Sequence, residues 1–304
     1  MEDRGYDFVR VKARGKINLG LDVIRKRDDG YHEVRMIMQQ VGLYDGIDIK
    51  RLGLCTDGNR YIDIETNLKY LPVNENNLAY KAAALLMDEY GIQESIFIKI
   101  RKLIPVAAGM AGGSADAAAV MKGLNKMFGL GLSTKELMER GVRLGADVPY
   151  CIMGGTALAE GIGDVLTPLK DMPPCYIVLA KPGINVSTKF VYGSLKLDEI
   201  KKHPDIDGLV QDIESQDLEG MSAKLGNVLE EVTEGMHPVI TEIKQKMMKH
   251  GALNAMMSGS GPTVFGLFER EDKARKACQA LKQSELAKQV YLTGMFHGGN
   301  RHEG

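Results

Sequence analysis

The chain has 304 residues, 44% of them hydrophobic and 26% charged, with a formal net charge of −1. That length can bury a large core in one large or two medium domains, and the near-zero charge excludes a global basic field for nucleic acid. Any anionic ligand must therefore be met by local donors. No run reaches the ~18 apolar residues of a membrane helix, and the charged opening MEDRGYDFVR lacks a signal peptide's apolar stretch, so a soluble cytoplasmic protein is expected. Cys55, Cys151, Cys175 and Cys278 lie far apart without C-x-x-C spacing and read as reduced thiols.

In chain order, residues 7–14 and 17–24 read as strands. Lys16 stands between them and Asn18 two residues on, so both face one side of the backbone. A strand lysine is usually solvated, but Ile17 and Leu19 predict buried surroundings. The turn Asp28-Asp29-Gly30 delivers Tyr31 and His32, which either cover a core edge or stack on and hydrogen-bond a planar ring. Strands over 36–43 and 46–52, joined at Tyr44-Asp45-Gly46, continue a meander with 59–66. Asn76-Asn77 caps a helix that stops at Gly91, and 95–102 is the next strand.

The stretch Leu103–Met127 then passes through a loop containing Gly109, Gly112 and Gly113 into a helix, with Ser114 as the expected N-cap and Asp116 in the first turn. Such a loop is either a tight connection or an anion site, because glycines allow close backbone approach and a helix N-terminus aims free N–H groups at the same place. It matches neither G-x-x-x-x-G-K-[ST] nor G-x-G-x-x-G.

Ser133 caps a short helix, and Asp147 follows in LGADVPY, two residues before Pro149, where an extended or turning backbone is predicted. Asp147 either braces that turn or accepts a hydroxyl proton. Gly154-Gly155 and Gly161-Ile162-Gly163 punctuate two strands, and the proline-rich LTPLKDMPP suggests a second region from 167 onward. There we expect a strand over 175–182 and a helix capped by Ser187 or Thr188. Helices over 207–215, 219–230 and 236–250 follow, then two strands about Ser258-Gly259-Ser260-Gly261-Pro262, a helix over 271–283, a strand over 288–294 and a disordered tail over 298–304. The order of elements is α+β.

Three sites taken in order resemble the GHMP kinases: Pro105-Val-Ala-Ala-Gly109-Met-Ala-Gly-Gly-Ser114, the C-terminal Ser258-Gly-Ser-Gly-Pro-Thr-Val264, and the opening A-x-G-K-I-N-L. The D-G-Y-H turn and L-G-A-D-V-P narrow the resemblance to the branch that phosphorylates 4-diphosphocytidyl-2-C-methyl-D-erythritol (CDP-ME) in the non-mevalonate (MEP) isoprenoid pathway. It implies a two-domain GHMP kinase fold, with a ribosomal-protein-S5-like N-terminal domain (1–166), a ferredoxin-like C-terminal domain (167–297), and ATP and substrate in the cleft between them. It also implies Mg2+, with no metal ligand assigned.

By the same resemblance Asp147 is the base for the substrate's 2-hydroxyl, and Lys16 orients the pair and stabilises developing charge. Asn18 shares a ligand with Lys16. Tyr31 and Tyr192, or less readily Phe190, would sandwich the cytosine while His32 reads its polar edge. The segment Ala107, Ala108, Gly109, Met110, Ala111, Gly112, Gly113, Ser114 would wrap the ATP phosphates, and Asn76-Asn77 would begin the adenine side. The alanines at 107, 108, 111 and 115 stand where relatives carry glycine or serine, and ordinary backbone angles are expected of them. The expected partners are small molecules, not nucleic acid or membrane, and the expected assembly is a monomer or homodimer. Mevalonate, phosphomevalonate or homoserine as substrate, or a non-catalytic nucleotide-binding role, are the rival readings.

Overall fold

The computed structural model describes residues 6–56 and 58–296, so the tail expected over 298–304 lies outside the described residues. These residues form two compact units that interleave along the chain. One takes the chain up to Gly15, Tyr44–Val106 and Ala111–Met153, and the other takes Lys16–Leu43, Ala107–Met110 and the chain from Gly154 onward.

Two long strands, β1 (Phe8–Lys26) and β2 (His32–Gly53), contribute to both units. Each replaces two expected strands. The Tyr44-Asp45-Gly46 turn does not form, because the Asp45 carboxylate is buried and accepts hydrogen bonds from the Leu103 and Ile104 backbone N–H groups. Gly46 stays in the ladder opposite Arg101.

In the first unit β2 pairs antiparallel with β4 (Ser95–Arg101), which also pairs with β3 (Ile62–Thr66). The β3–β4 pairing is parallel, with Ile62 opposite Ile96, so 59–66 does not extend the meander. A parallel neighbour needs a crossover, and α1 (Leu78–Glu89) supplies it. Asn77 caps α1 through Ala79 N, as expected, and the chain turns at Gly91 with φ +61°. Helix α2 (Gly112–Met127) lies on β2 through Gly123, where a Cβ would come within 2.5 Å of Ile49 Cδ1. A reciprocal Ser133–Glu136 capping box opens α3 (Thr134–Gly141). Asp147 begins α4 (Asp147–Met153) rather than an extended segment. Pro149 falls in the first turn, where no backbone N–H is required, and an acidic first residue suits the helix dipole.

The second unit contains β5 (Thr156–Glu160), β6 (Val165–Pro168), β7 (Tyr176–Lys181), α5 (Thr188–Ser194), α6 (Ile206–Ser215) and α7 (Leu218–Ala223). It continues with β8 (Gly226–Asn227), α8 (Glu230–Met236), α9 (Val239–Lys249), β9 (Asn254–Met257), β10 (Val264–Phe268), α10 (Glu271–Lys282) and β11 (Gln289–Gly294). The helix expected over 219–230 is interrupted, because the chain leaves α7 to pair with β1, Leu21 opposite Asn227. Likewise 236–250 divides at Pro238, with α9 beginning after it.

Strand β2 pairs with β5, Met36 opposite Ala159, and β5 with β6. The remaining strands form an antiparallel sheet in the order β11-β7-β10-β9. Together with α9 and α10 this sheet has the β–α–β–β–α–β succession of a ferredoxin-like unit, its core filled by Ile177, Leu179, Phe265, Leu267 and Leu281.

Candidate active site

Lys16 and Asn18 lie on the same side of β1, and both are buried, at 5% and 0% exposure. The Lys16 ammonium donates to Asn18 Oδ1 at 2.7 Å, and Asn18 Nδ2 faces Met36 Sδ at 3.2 Å. Lys16 takes part in no ion pair among the described residues. A desolvated cation held only by a neutral amide is costly unless an anion completes it, and it is well placed to bind one.

The backbone next to Lys16 belongs to the glycine segment, since Lys16 N donates to Met110 O at 3.1 Å. Gly109 has φ +73°, and a Cβ there would stand 2.0 Å from Ser258 O, so glycine is required. Ser258 Oγ donates to Gly109 O at 2.9 Å, which ties the C-terminal glycine turn to the segment. Ser260 Oγ meets Thr188 Oγ1 at 2.8 Å. Ser258–Gly261 is thus more than a hairpin turn.

Two expectations about this segment are corrected. Ser114 is not the N-cap: α2 begins at Gly112 after Ala111, with no side-chain cap. The N–H groups of Gly112, Gly113 and Ser114 therefore have no intrahelical partner. Ala107 and Ala111 also do not keep ordinary angles, with φ +48° and +54°. Ala111 swings the chain into the helix from the left-handed region, and Ala107 makes the preceding turn. Ala108 and Ala115 do keep ordinary angles.

The His32 and Tyr192 rings pack at 5.3 Å between centroids with a 40° tilt. Burial, and then the Lys26 charge, lower the His32 pKa and favour a neutral imidazole with one donor and one acceptor. Tyr31 and Phe190 present exposed rings, Tyr31 at 60%. The Asn77 side chain is committed as a cap, its Nδ2 donating to Pro72 O, whereas Asn76 is exposed. Asp147 is half-buried, and its side chain takes no hydrogen-bond partner among the described residues.

Sequence reasoning missed a buried cluster under α2. Lys102 Nζ donates to Asp45 Oδ2 at 2.5 Å and Asp116 Oδ2 at 2.7 Å, and Asp116 Oδ1 is buried without a hydrogen-bond partner among the described residues. Burial pushes the Asp116 carboxyl up to about 8, against the attraction of Lys102. Burial thus favours the protonated form of this carboxyl, and the Lys102 ammonium beside it opposes that. One lysine beyond a strand and two aspartates far apart in sequence leave no periodic signal, so only the fold brings them together.

Comparison with known proteins matches residues 77–155 to the GHMP kinases N terminal domain and residues 209–288 to the GHMP kinases C terminal domain. A relative from Lachnospira eligens is 54% identical over 95% of this chain and 99% of its own length. The chain belongs to the GHMP kinases. A GHMP kinase from Lachnoclostridium phytofermentans is also 54% identical, over 97% of this chain and 99% of its own. Both relatives are named 4-diphosphocytidyl-2-C-methyl-D-erythritol kinase. The crystal structure of a 4-(cytidine 5'-diphospho)-2C-methyl-D-erythritol kinase superimposes with a TM-score of 0.80 at 30% identity, covering 94% of this chain and 99% of that one. The fold is that of the GHMP kinases, and among the described residues no helix is long and apolar enough to cross a membrane.

Proposed function

We infer that this GHMP kinase transfers the γ-phosphoryl group of ATP to the 2-hydroxyl of CDP-ME, giving the 2-phosphate and ADP, in the MEP route to isoprenoids. The observation that carries the reading is the buried Lys16 ammonium, held by Asn18 and without an acidic partner among the described residues, beside the backbone of the glycine segment. The names of the near full-length relatives support CDP-ME as the acceptor. So does the His32–Tyr192 ring pair, which suits a planar base with a polar edge.

Phosphoryl transfer asks a protein mainly for positioning and charge stabilisation. The segment from Ala107 to Ser114, led in by Pro105, supplies backbone N–H groups to the phosphates, with the Ser258–Gly261 turn behind it. Asn76 lies at the adenine side, and Asn77 serves there by capping α1. Lys16 faces the charge that grows on the transferred group. Tyr192 and His32 hold the cytosine, and the exposed Tyr31 ring closes its other face.

As the 2-hydroxyl oxygen bonds to the γ-phosphorus and the bond to ADP breaks, the hydroxyl proton passes to Asp147. An alcohol is far less acidic than a carboxylic acid, so this transfer is late. Among the described residues no group of three or more histidine, cysteine or acidic side chains could hold a metal. Mg2+ carried on the nucleotide phosphates would neutralise charge there, and no residue of this chain is assigned as its ligand. The assignment extends to a functional division at 166/167, a cytoplasmic location and a monomer or homodimer that needs no nucleic acid or membrane.

The test is ATP consumption with Mg2+ and CDP-ME, run beside mevalonate, phosphomevalonate and homoserine. Turnover with CDP-ME alone is expected, and Asp147→Asn should lower it ~10²-fold or more with little change in nucleotide affinity. Turnover with another alcohol removes the cytosine assignment, and near wild-type turnover in Asp147→Asn removes the base.

A further inference from the structure

We propose that Asn227 is a positioning residue for phosphoryl transfer, which fixes the Ser258–Gly261 turn and, through it, the glycine segment at residues 108–110. The proposal rests on the kinase reading above and deepens it.

Asn227 lies in β8, opposite Leu21 of β1, the strand that carries Lys16 and Asn18. Its side chain is buried and fully used. Nδ2 donates to Met257 O at 2.9 Å and to Gly259 O at 2.8 Å, while Oδ1 accepts from Leu229 N at 3.0 Å. One amide thus binds two carbonyls, one at the end of β9 and one inside the glycine turn. The same turn is engaged on its other side by the glycine segment. Ser258 Oγ reaches Gly109 O, and a Cβ added at Gly259 would lie 3.3 Å from Gly109 O and 3.4 Å from Asn18 Oδ1. The turn stands between Asn227 and the groups proposed to meet the phosphates. Backbone of this kind has little side-chain mass to hold its place, so its position must come from hydrogen bonds to neighbours.

The chain carries its own comparison. Asn254, at the far end of β9 and half-buried, makes a smaller version of the pattern away from the turn: Nδ2 donates to one carbonyl, Ser222 O at 2.8 Å, and Oδ1 accepts from Ala255 N at 2.8 Å. Asn227→Asp and Asn254→Asp each keep the shape and the acceptor but replace the donor with a carboxylate oxygen that repels the carbonyls. A purely structural role predicts that the effects on binding and turnover at both sites vanish once each variant is corrected for its folded fraction.

The experiment measures MgATP affinity by calorimetry and turnover with CDP-ME for wild type and both variants, corrected for folded fraction. Asn227→Asp should weaken MgATP binding at least ~10-fold and lower turnover at least as much, while Asn254→Asp stays within about twofold of wild type on both. Should either aspartate variant fail to fold, Asn227→Ser and Asn254→Ser give the same comparison. Equal effects at the two positions, or wild-type affinity and turnover in the Asn227 variant, overturn the proposal and leave the kinase reading intact. A wild-type protein that binds no MgATP overturns both.

Discussion

At Gly109 the absence of a side chain decides the local geometry, because a Cβ would stand 2.0 Å from the Ser258 carbonyl oxygen. Gly109→Ala must displace backbone on one side or the other, and we expect a loss of about 2 kcal/mol or more in denaturant unfolding, together with most of the activity. The reverse holds at Ala107 and Ala111, which carry a Cβ in the left-handed region at about 1 kcal/mol each. Substituting glycine at either position should leave stability unchanged or raise it slightly, since the relief is offset by a freer unfolded chain. Lower nucleotide affinity is expected from the looser loop, and titration of the variants with MgATP checks it. These alanines were the least legible residues of the site. Their composition argues for ordinary angles, and only the need to turn into α2 overrides it.

Among the elements, helices with strong caps were legible in place and kind: α1 behind Asn77 and α3 behind Ser133. The strands were legible as strands but not in their continuity, since Asp45 looks like a turn residue until its carboxylate is seen to satisfy the loop before α2. Parallel pairing of β3 with β4 was also hidden, because register across a crossover helix leaves no local trace.

The buried cluster under α2 sets a pH dependence for this element. With its pKa raised from 3.8 to about 8, Asp116 binds a proton in the folded state where the unfolded chain has released it. Its stabilising contribution is complete below 3.8 and is lost as pH rises through about 8. The slope within that window is at most about 1.4 kcal/mol per pH unit. Asp116→Asn should remove it, so the wild-type minus variant difference in unfolding free energy should decline from pH 5 to pH 8 and be flat above about pH 9. A difference independent of pH would mean that Asp116 is ionised throughout.

For the molecule as a whole, chain order and spatial order diverge. The proline-rich stretch near 167 reads in sequence as the start of a second region, yet the unit that holds β7 to β11 also takes in residues 16–43 and 154–166. A fragment spanning 167–296 would lack the β1 partner of β8 and the β2 segment that bridges Met295 at Val41. We expect it to keep its four-stranded sheet but to show weak amide protection and an early, broad thermal transition by hydrogen exchange and circular dichroism. A sharp transition near that of the full chain would show that the sheet with its helices suffices.

The bridge between Val41 and Met295, with Phe296 N donating to Gln40 O at 2.9 Å, also places a demand on synthesis. The ribosome releases the Gln40 strand roughly 250 residues before its partner, which at about 5–20 residues per second is a wait of roughly 10–50 s. Ile37 and Met38 gain their partners when β5 emerges, roughly 120 residues on, but Val41, buried in the finished protein, waits through the whole interval on a β edge. The nascent chain is therefore most exposed to aggregation along this edge before β5 emerges, and a holdase that covers the edge would raise its yield in the cell without altering the stability of the finished enzyme.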